Sequence, residues 1–190
     1  MRRVLGILLS TVLFAGCDEA SEGERLGLYS VLATRTQNTC GAQMSGKLQS
    51  ARFNVALSLR QGVLRWTPAG ATTASGIFNV FQGTFRIAIE ASTQMIAPNR
   101  QRQIPGCVLR RVDLIEGLVS ASADAGARPS FDAGVNSDGG TVVTGFQAQE
   151  TIAYGTESGD CTSLIGVGEG QSLALPCVVG YQMDGTRIGP

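Results

Sequence analysis

From Phe53 to Arg60 the chain reads Phe-Asn-Val-Ala-Leu-Ser-Leu-Arg, with a large apolar side chain at every odd position. A period of two sends alternate side chains to opposite faces of an extended chain, so this octapeptide predicts a strand with one buried face. Gln61-Gly62 follows, then Val63-Leu64-Arg65-Trp66. A two-residue turn there sets Leu59 against Leu64 and Leu57 against Trp66 on the apolar side, with Ser58 facing Arg65 on the other. Gln82-Gly83 predicts a second hairpin of the same kind, with Val80 opposite Phe85, Phe78 opposite Ile87 and Asn79 meeting Arg86. Trp66 and Phe85 read as core residues.

Further strands are expected over residues 26–36, 107–119, 141–154 and 178–187, and no stretch carries a helical repeat. Eight half-buried strands in simple succession predict an all-β fold, an eight-stranded antiparallel meander barrel, with a two-sheet β-sandwich as the alternative. Closure favours the barrel because it leaves no strand edge exposed. Counting strands up and down places both Gln-Gly turns, the segment 120–140 and the start of the first strand at one end. The connections 37–49, 68–75, 93–106 and 155–176 fall at the other. Binding residues concentrate on loops held by a rigid scaffold, so this second rim is the expected site.

Composition narrows the chemistry. The chain has 190 residues, 15 basic and 15 acidic, and no histidine. Ser-His-Asp and Cys-His nucleophile systems and histidine metal ligation are therefore excluded. Balanced charge with a single lysine, Lys47, leaves no polybasic footprint for nucleic acid. No cofactor is expected.

Arg2 and Arg3 precede a mostly apolar run from Val4 to Phe14, which ends at Ala15-Gly16-Cys17. A basic start, a short apolar run and small residues at the cut site describe a secretory signal, and the run is too short to span a bilayer. Leu13-Phe14-Ala15-Gly16-Cys17 resembles the lipobox of bacterial lipoproteins, although Phe14 stands where that family usually has Leu, Val or Ile. The resemblance covers about the first tenth of the chain. It implies cleavage before Cys17, a diacylglyceryl group on its sulfur, and anchorage in a bacterial cell envelope. The resulting division is a signal peptide over 1–16, a polar tether over 17–25, and one β domain over 26–190 with a flexible loop over 120–140. Loss of Arg2 and Arg3 leaves 13 basic against 15 acidic residues, a net charge of −2. Eight tether residues reach at most ~28 Å, which keeps the domain close to its membrane.

Beyond Cys17 the cysteines are Cys40, Cys107, Cys161 and Cys177. An even number in an exported chain favours disulfides, and no Cys-x-x-Cys is present to suggest zinc. Three pairings are open; the expected one joins Cys161 to Cys177 and Cys40 to Cys107.

In the strand 141–154 the even residues form the apolar face apart from Thr144 and Glu150. In 107–119, Val108, Val112 and Leu114 share a face with Arg110, and Leu114-Ile115 hints at a bulge. One register pairs Arg110 with Glu150, both pointing inward, as a ligand site or a structural ion pair. Arg100 and Arg102 add positive charge to the rim. Asp132, Asn136 and Asp138 approach a calcium loop, but Gly134 and Gly145 stand where ligands belong, so no metal is expected. Asp113 and Glu116, three apart, face opposite ways, while Glu90 and Glu157 have no identifiable partner.

The expected function is that of a non-enzymatic envelope module binding a small molecule or a protein partner. A carboxylate-dependent hydrolase acting on cell-envelope glycans is the alternative, and a purely structural surface lipoprotein is the third reading. An integral outer-membrane barrel is disfavoured because aromatic residues, at 6%, leave little for two girdles.

Overall fold

A computed structural model describes residues 24–41, 49–103, 105–122, 142–162 and 174–190. The chain folds into eight antiparallel strands: β1 (Glu24–Asn38), β2 (Ser50–Arg60), β3 (Val63–Pro68), β4 (Ala74–Asn79), β5 (Thr84–Ile96), β6 (Cys107–Ser122), β7 (Val142–Gly159) and β8 (Cys177–Gly189). Each strand pairs with the next, and β1 pairs with β8, closing the meander into a barrel. The signal peptide, Cys17 and the calcium-like residues lie outside the described residues. β1 begins two residues inside the expected tether, at Glu24, and β6 runs to Ser122, into the segment read as a loop.

The β2–β3 hairpin has the expected register, with Leu57↔Trp66, Ser58↔Arg65 and Leu59↔Leu64. Its turn needs left-handed backbone at both Gln61 (φ 50°) and Gly62 (φ 75°), the geometry of a type I′ turn. The second hairpin differs. Its turn holds four residues, 80–83, so Phe78 faces Phe85 and Asn79 faces Thr84. Asn79 is the reason: its Oδ1 accepts the backbone N–H of Phe81 (3.0 Å) and Gln82 (3.2 Å), and its carbonyl accepts that of Gly83 (2.8 Å). A side chain mimicking a backbone turn widens the loop. The slip is by two residues, which leaves Phe78, Phe85 and Ile87 facing inward.

β7 carries Phe146, Ala148 and Ile152 into the interior on its even positions. The exception at Thr144 is a bulge: Ser120 pairs with Gly145 and Ala121 with Val143, so Val143 turns inward and Thr144 is exposed. β6 reverses the expected orientation. Its odd residues Leu109, Asp113, Ile115 and Val119 are buried, Arg110 points out, and no bulge falls between Leu114 and Ile115. Both faces of β6 are rich in aliphatic residues, so the alternation alone does not select one. The odd face wins because Ile115 and Val119 join the core that holds Phe85 and Phe146.

That core fills the end of the barrel where β1 begins. Phe146 packs edge-on against Tyr29 (centroids 5.5 Å apart), Trp66 (5.3 Å) and Phe85 (6.1 Å). Gly185 on β8 makes the room: a Cβ there would lie 2.2 Å from the Phe146 ring. The Tyr29 hydroxyl is the polar group in this cluster, and it sits 3.1 Å from Leu26 O and 3.2 Å from Val143 O. Burial pushes its pKa up to about 12, against the pull of Arg187.

The disulfides join Cys40 to Cys177 and Cys107 to Cys161, with Cα atoms 4.9 and 5.0 Å apart. This corrects the expected pairing. Cys40 follows β1 and Cys177 opens β8, so the first bridge staples the seam where the barrel closes. Cys107 opens β6 and Cys161 follows β7, its neighbour. Both bridges lie at the rim opposite the start of β1. Two disulfides are compatible with an exported, non-cytoplasmic protein.

Candidate functional site

An eight-stranded barrel is wide enough to be filled by side chains or to hold one small ligand. Here the two halves differ. Above Trp66, Ile115 and Met183 the interior opens into a cavity of about 470 Å³. Its walls include Phe53, Ile89 and Ala91, and Pro68 at the end of β3 stands at its edge with Ala71 and Thr72 of the β3–β4 connection. The mouth is therefore at the disulfide-bearing rim. Small side chains create the space: Ala74 and Ala91 occupy wall positions where a Leu or Phe would fill it.

Among the described residues, three charged side chains line this cavity: Arg111, Asp113 and Glu150. The odd face of β6 supplies the first two, and Glu150 comes from β7 two positions from Ile152, the cross-strand partner of Asp113. Arg111 Nε donates to Asp113 Oδ1 at 2.6 Å. Asp113 is 6% exposed, so this pairing meets most of the cost of burying its charge. The Arg111 guanidinium also lies over the Tyr154 ring, 5.9 Å from its centroid. Burial raises the Tyr154 pKa, partly offset by Arg111.

Glu150 is differently placed. It makes no hydrogen bond or ion pair among the described residues, and its neighbours across the ladders are Ile115 and Tyr181. Burial raises its pKa above the ordinary 4.5, the negative charge of Asp113 adds to the rise, and Arg111 opposes it. A carboxyl whose folded pKa is raised contributes stability that is fully present below its unfolded pKa and is lost as pH rises through the folded value. Glu150→Gln, neutral at every pH, is therefore expected to melt higher than the parent at pH 7–8. The difference should close as pH falls toward about 4, where both side chains are uncharged. Melting curves at several pH values check this; an equal gap at all pH values would contradict it.

The expected Arg110–Glu150 pair is not formed. Arg110 lies opposite Gly155 and points outward, where Nη2 contacts Glu90 Oε2 at 2.7 Å. Glu90, read as partnerless, thus has a partner, in an exposed pair of the kind that contributes ~1 kcal/mol or less. Glu150 does point inward, and the cation it shares the cavity with is Arg111, one residue along. Arg100 and Arg102 are exposed on the turn between β5 and β6, where Asn99 Oδ1 accepts the Arg102 N–H at 3.0 Å; neither lines the cavity. Asp113 faces inward and Glu116 outward, where Glu116 pairs with Arg86 at 3.5 Å.

Sequence reasoning missed Arg111 and Asp113. Their signal was the i, i+2 spacing of opposite charges, which puts both on one face of a strand. Among the described residues no group of three or more His, Cys, Asp or Glu is placed to hold a metal ion. Comparison of the chain with protein-family models, with curated proteins and with solved structures gives no match.

Proposed function

We propose that this chain is an exported, lipid-anchored envelope protein whose barrel binds a small molecule in the cavity facing away from the membrane. The observation that carries the binding reading is the cavity of about 470 Å³, which lies within the range typical of ligand sites and has apolar walls with a few convergent polar groups. A purely structural barrel gains nothing from an open interior cavity, because voids in a core are destabilising.

The anchor rests on the motif at Cys17, and the surface of the domain supports it. Leu28, Val63, Ile77, Phe81, Leu118 and Ile188 are large apolar residues exposed near the end where β1 begins, and Phe81 and Ile77 are 89% and 75% exposed. Of the described residues in this class only Met95 lies toward the other rim. An apolar collar at the tethered end suits a domain held against a lipid headgroup region, with its mouth outward.

A second reading has one observation in its favour. Asp113 and Glu150 line one cavity, and a carboxyl with a raised pKa is the usual general acid of glycoside hydrolysis. Against it, Asp113 is buried and bound to Arg111, which removes the second carboxylate from service.

Intact mass spectrometry of protein drawn gently from its native membrane, without reductant, tests the proposal. The expected species starts at Cys17, carries a diacylglyceryl group, retains two disulfides and releases a non-covalent small molecule on collisional activation. An unmodified Cys17 would overturn the anchor. Protein that retains no small molecule and also takes up no octanol would overturn the binding reading.

A further inference from the structure

The binding reading says that the cavity is occupied, and the side chains in its wall say more about the occupant. Arg111 and Asp113 neutralise one another at 2.6 Å. What remains is Glu150, a carboxylate facing the cavity with no partner among the described residues. Among the described residues the rest of the lining is aliphatic or aromatic, apart from Thr72 at the edge, and Trp66 and Phe53 offer ring faces. With Glu150 ionised the described lining carries one uncompensated negative charge in apolar surroundings, where charges interact more strongly than in water. An anionic ligand would be repelled there, and a neutral ligand would leave the carboxylate desolvated and unpaired, at a cost. A cation relieves both conditions.

On the basis of the proposed binding function, we infer that the cavity selects a small monocationic ligand, an ammonium or amidinium group on an apolar body, with Glu150 as its counter-ion. The apolar body lies against Trp66, Ile115 and Met183, and the head group meets the carboxylate. Arg111, already engaged by Asp113, acts as the ceiling on charge: it balances the second acid and keeps the cavity from demanding a dication. The groups that face or adjoin Glu150 are Arg111 and Asp113 from β6, Tyr154 from its own strand and Tyr181 from β8. Burial holds the Glu150 carboxyl at a pKa above its ordinary value. Ligand affinity therefore falls as pH falls through that value, so acidification releases the ligand.

Trp66 is the only tryptophan of the chain and lines the cavity, so its fluorescence reports occupancy directly. The experiment titrates the oxidised full-length mature protein with octylammonium, octanol and octanoate, three probes that share one apolar body. Octylammonium is expected to bind at least tenfold more tightly than octanol, and octanoate more weakly than either. In Glu150→Gln the preference for octylammonium over octanol should vanish while octanol affinity stays within about twofold. In the parent protein it should shrink as pH is lowered. Equal affinities for all three probes, or preference for octanoate, would overturn the cationic assignment and leave the cavity reading standing. Failure of all three probes, octanol included, would overturn the binding reading itself. Loss of octanol binding in Glu150→Gln would signal a damaged cavity, so Glu150→Asp is measured beside it and should retain the ammonium preference.

Discussion

Replacing Cys40 and Cys177 together with alanine is expected to lower the unfolding free energy by about 4–5 kcal/mol. The bridge spans 137 residues of sequence. In the chain-entropy model a loop of that size contributes roughly 5 kcal/mol by restricting the unfolded chain. Cys107–Cys161 lies inside this loop and shortens its effective length by the 54 residues it spans. The dependence on length is logarithmic, so the correction is only a few tenths of a kcal/mol. Geometry adds to the entropic term. β1 and β8 are the first and last strands, and among the described residues this bridge is the covalent tie across their seam. Urea unfolding followed by Trp66 fluorescence measures the effect, with the single-bridge variant and the parent compared in non-reducing buffer. For a domain whose total stability is of the order of 5–15 kcal/mol, such a loss brings the variant close to unfolding at ambient temperature. A loss below about 1 kcal/mol would mean that the seam is held by its ladder and side chains alone.

Phe146→Ala is the second large effect, at about 3–5 kcal/mol. The ring is 2% exposed, touches Tyr29, Trp66 and Phe85 edge-on, and lies over Gly185. Removing it deletes three aromatic contacts and leaves a void that rigid neighbouring strands cannot close, which places the cost at the upper end of large-to-small substitutions. The informative control is Phe53→Ala. Phe53 is half-buried and borders the open cavity, so its truncation enlarges a space already present. The expected cost is about 1–2 kcal/mol. Similar losses at the two positions would contradict the division of the interior into a packed half and an open half.

Much of this architecture was legible from alternation. The inward face of β2, the register of the first hairpin and the even face of β7 follow from the period of two and one turn, and the closed meander follows from eight such strands. The second hairpin was read two residues short because Asn79, whose side chain builds the wider loop, resembles any polar strand residue in sequence. The orientation of β6 was hidden for a different reason. Its inward face spends two positions on Arg111 and Asp113, which lowers its apparent hydrophobicity below that of the outward face. The site thus obscured its own strand: an ion pair lining a cavity looks like solvent exposure until the cavity is known.

The disulfide pairing shows what sequence proximity conceals. Cys161 and Cys177 are close along the chain, yet each bonds a cysteine of a different neighbouring strand, Cys107 on β6 and Cys40 after β1. Barrel closure supplies the missing step, since it sets the end of β1 beside the start of β8 at the same rim. Cavity volume was not legible at all. It depends on how Ala74 and Ala91 meet Phe53 and Ile89 across the barrel, and that is a property of the closed barrel and of no single strand.

The most direct test of the central claim is a crystal structure of the oxidised protein soaked with 8-bromooctylammonium, read through the anomalous signal of bromine. The account predicts a bromine peak inside the barrel, in the cavity lined by Trp66, Ile115 and Met183, with the ammonium group beside the Glu150 carboxylate. A cavity closed by side chains or loops, with bromine only on the outer surface, would contradict it.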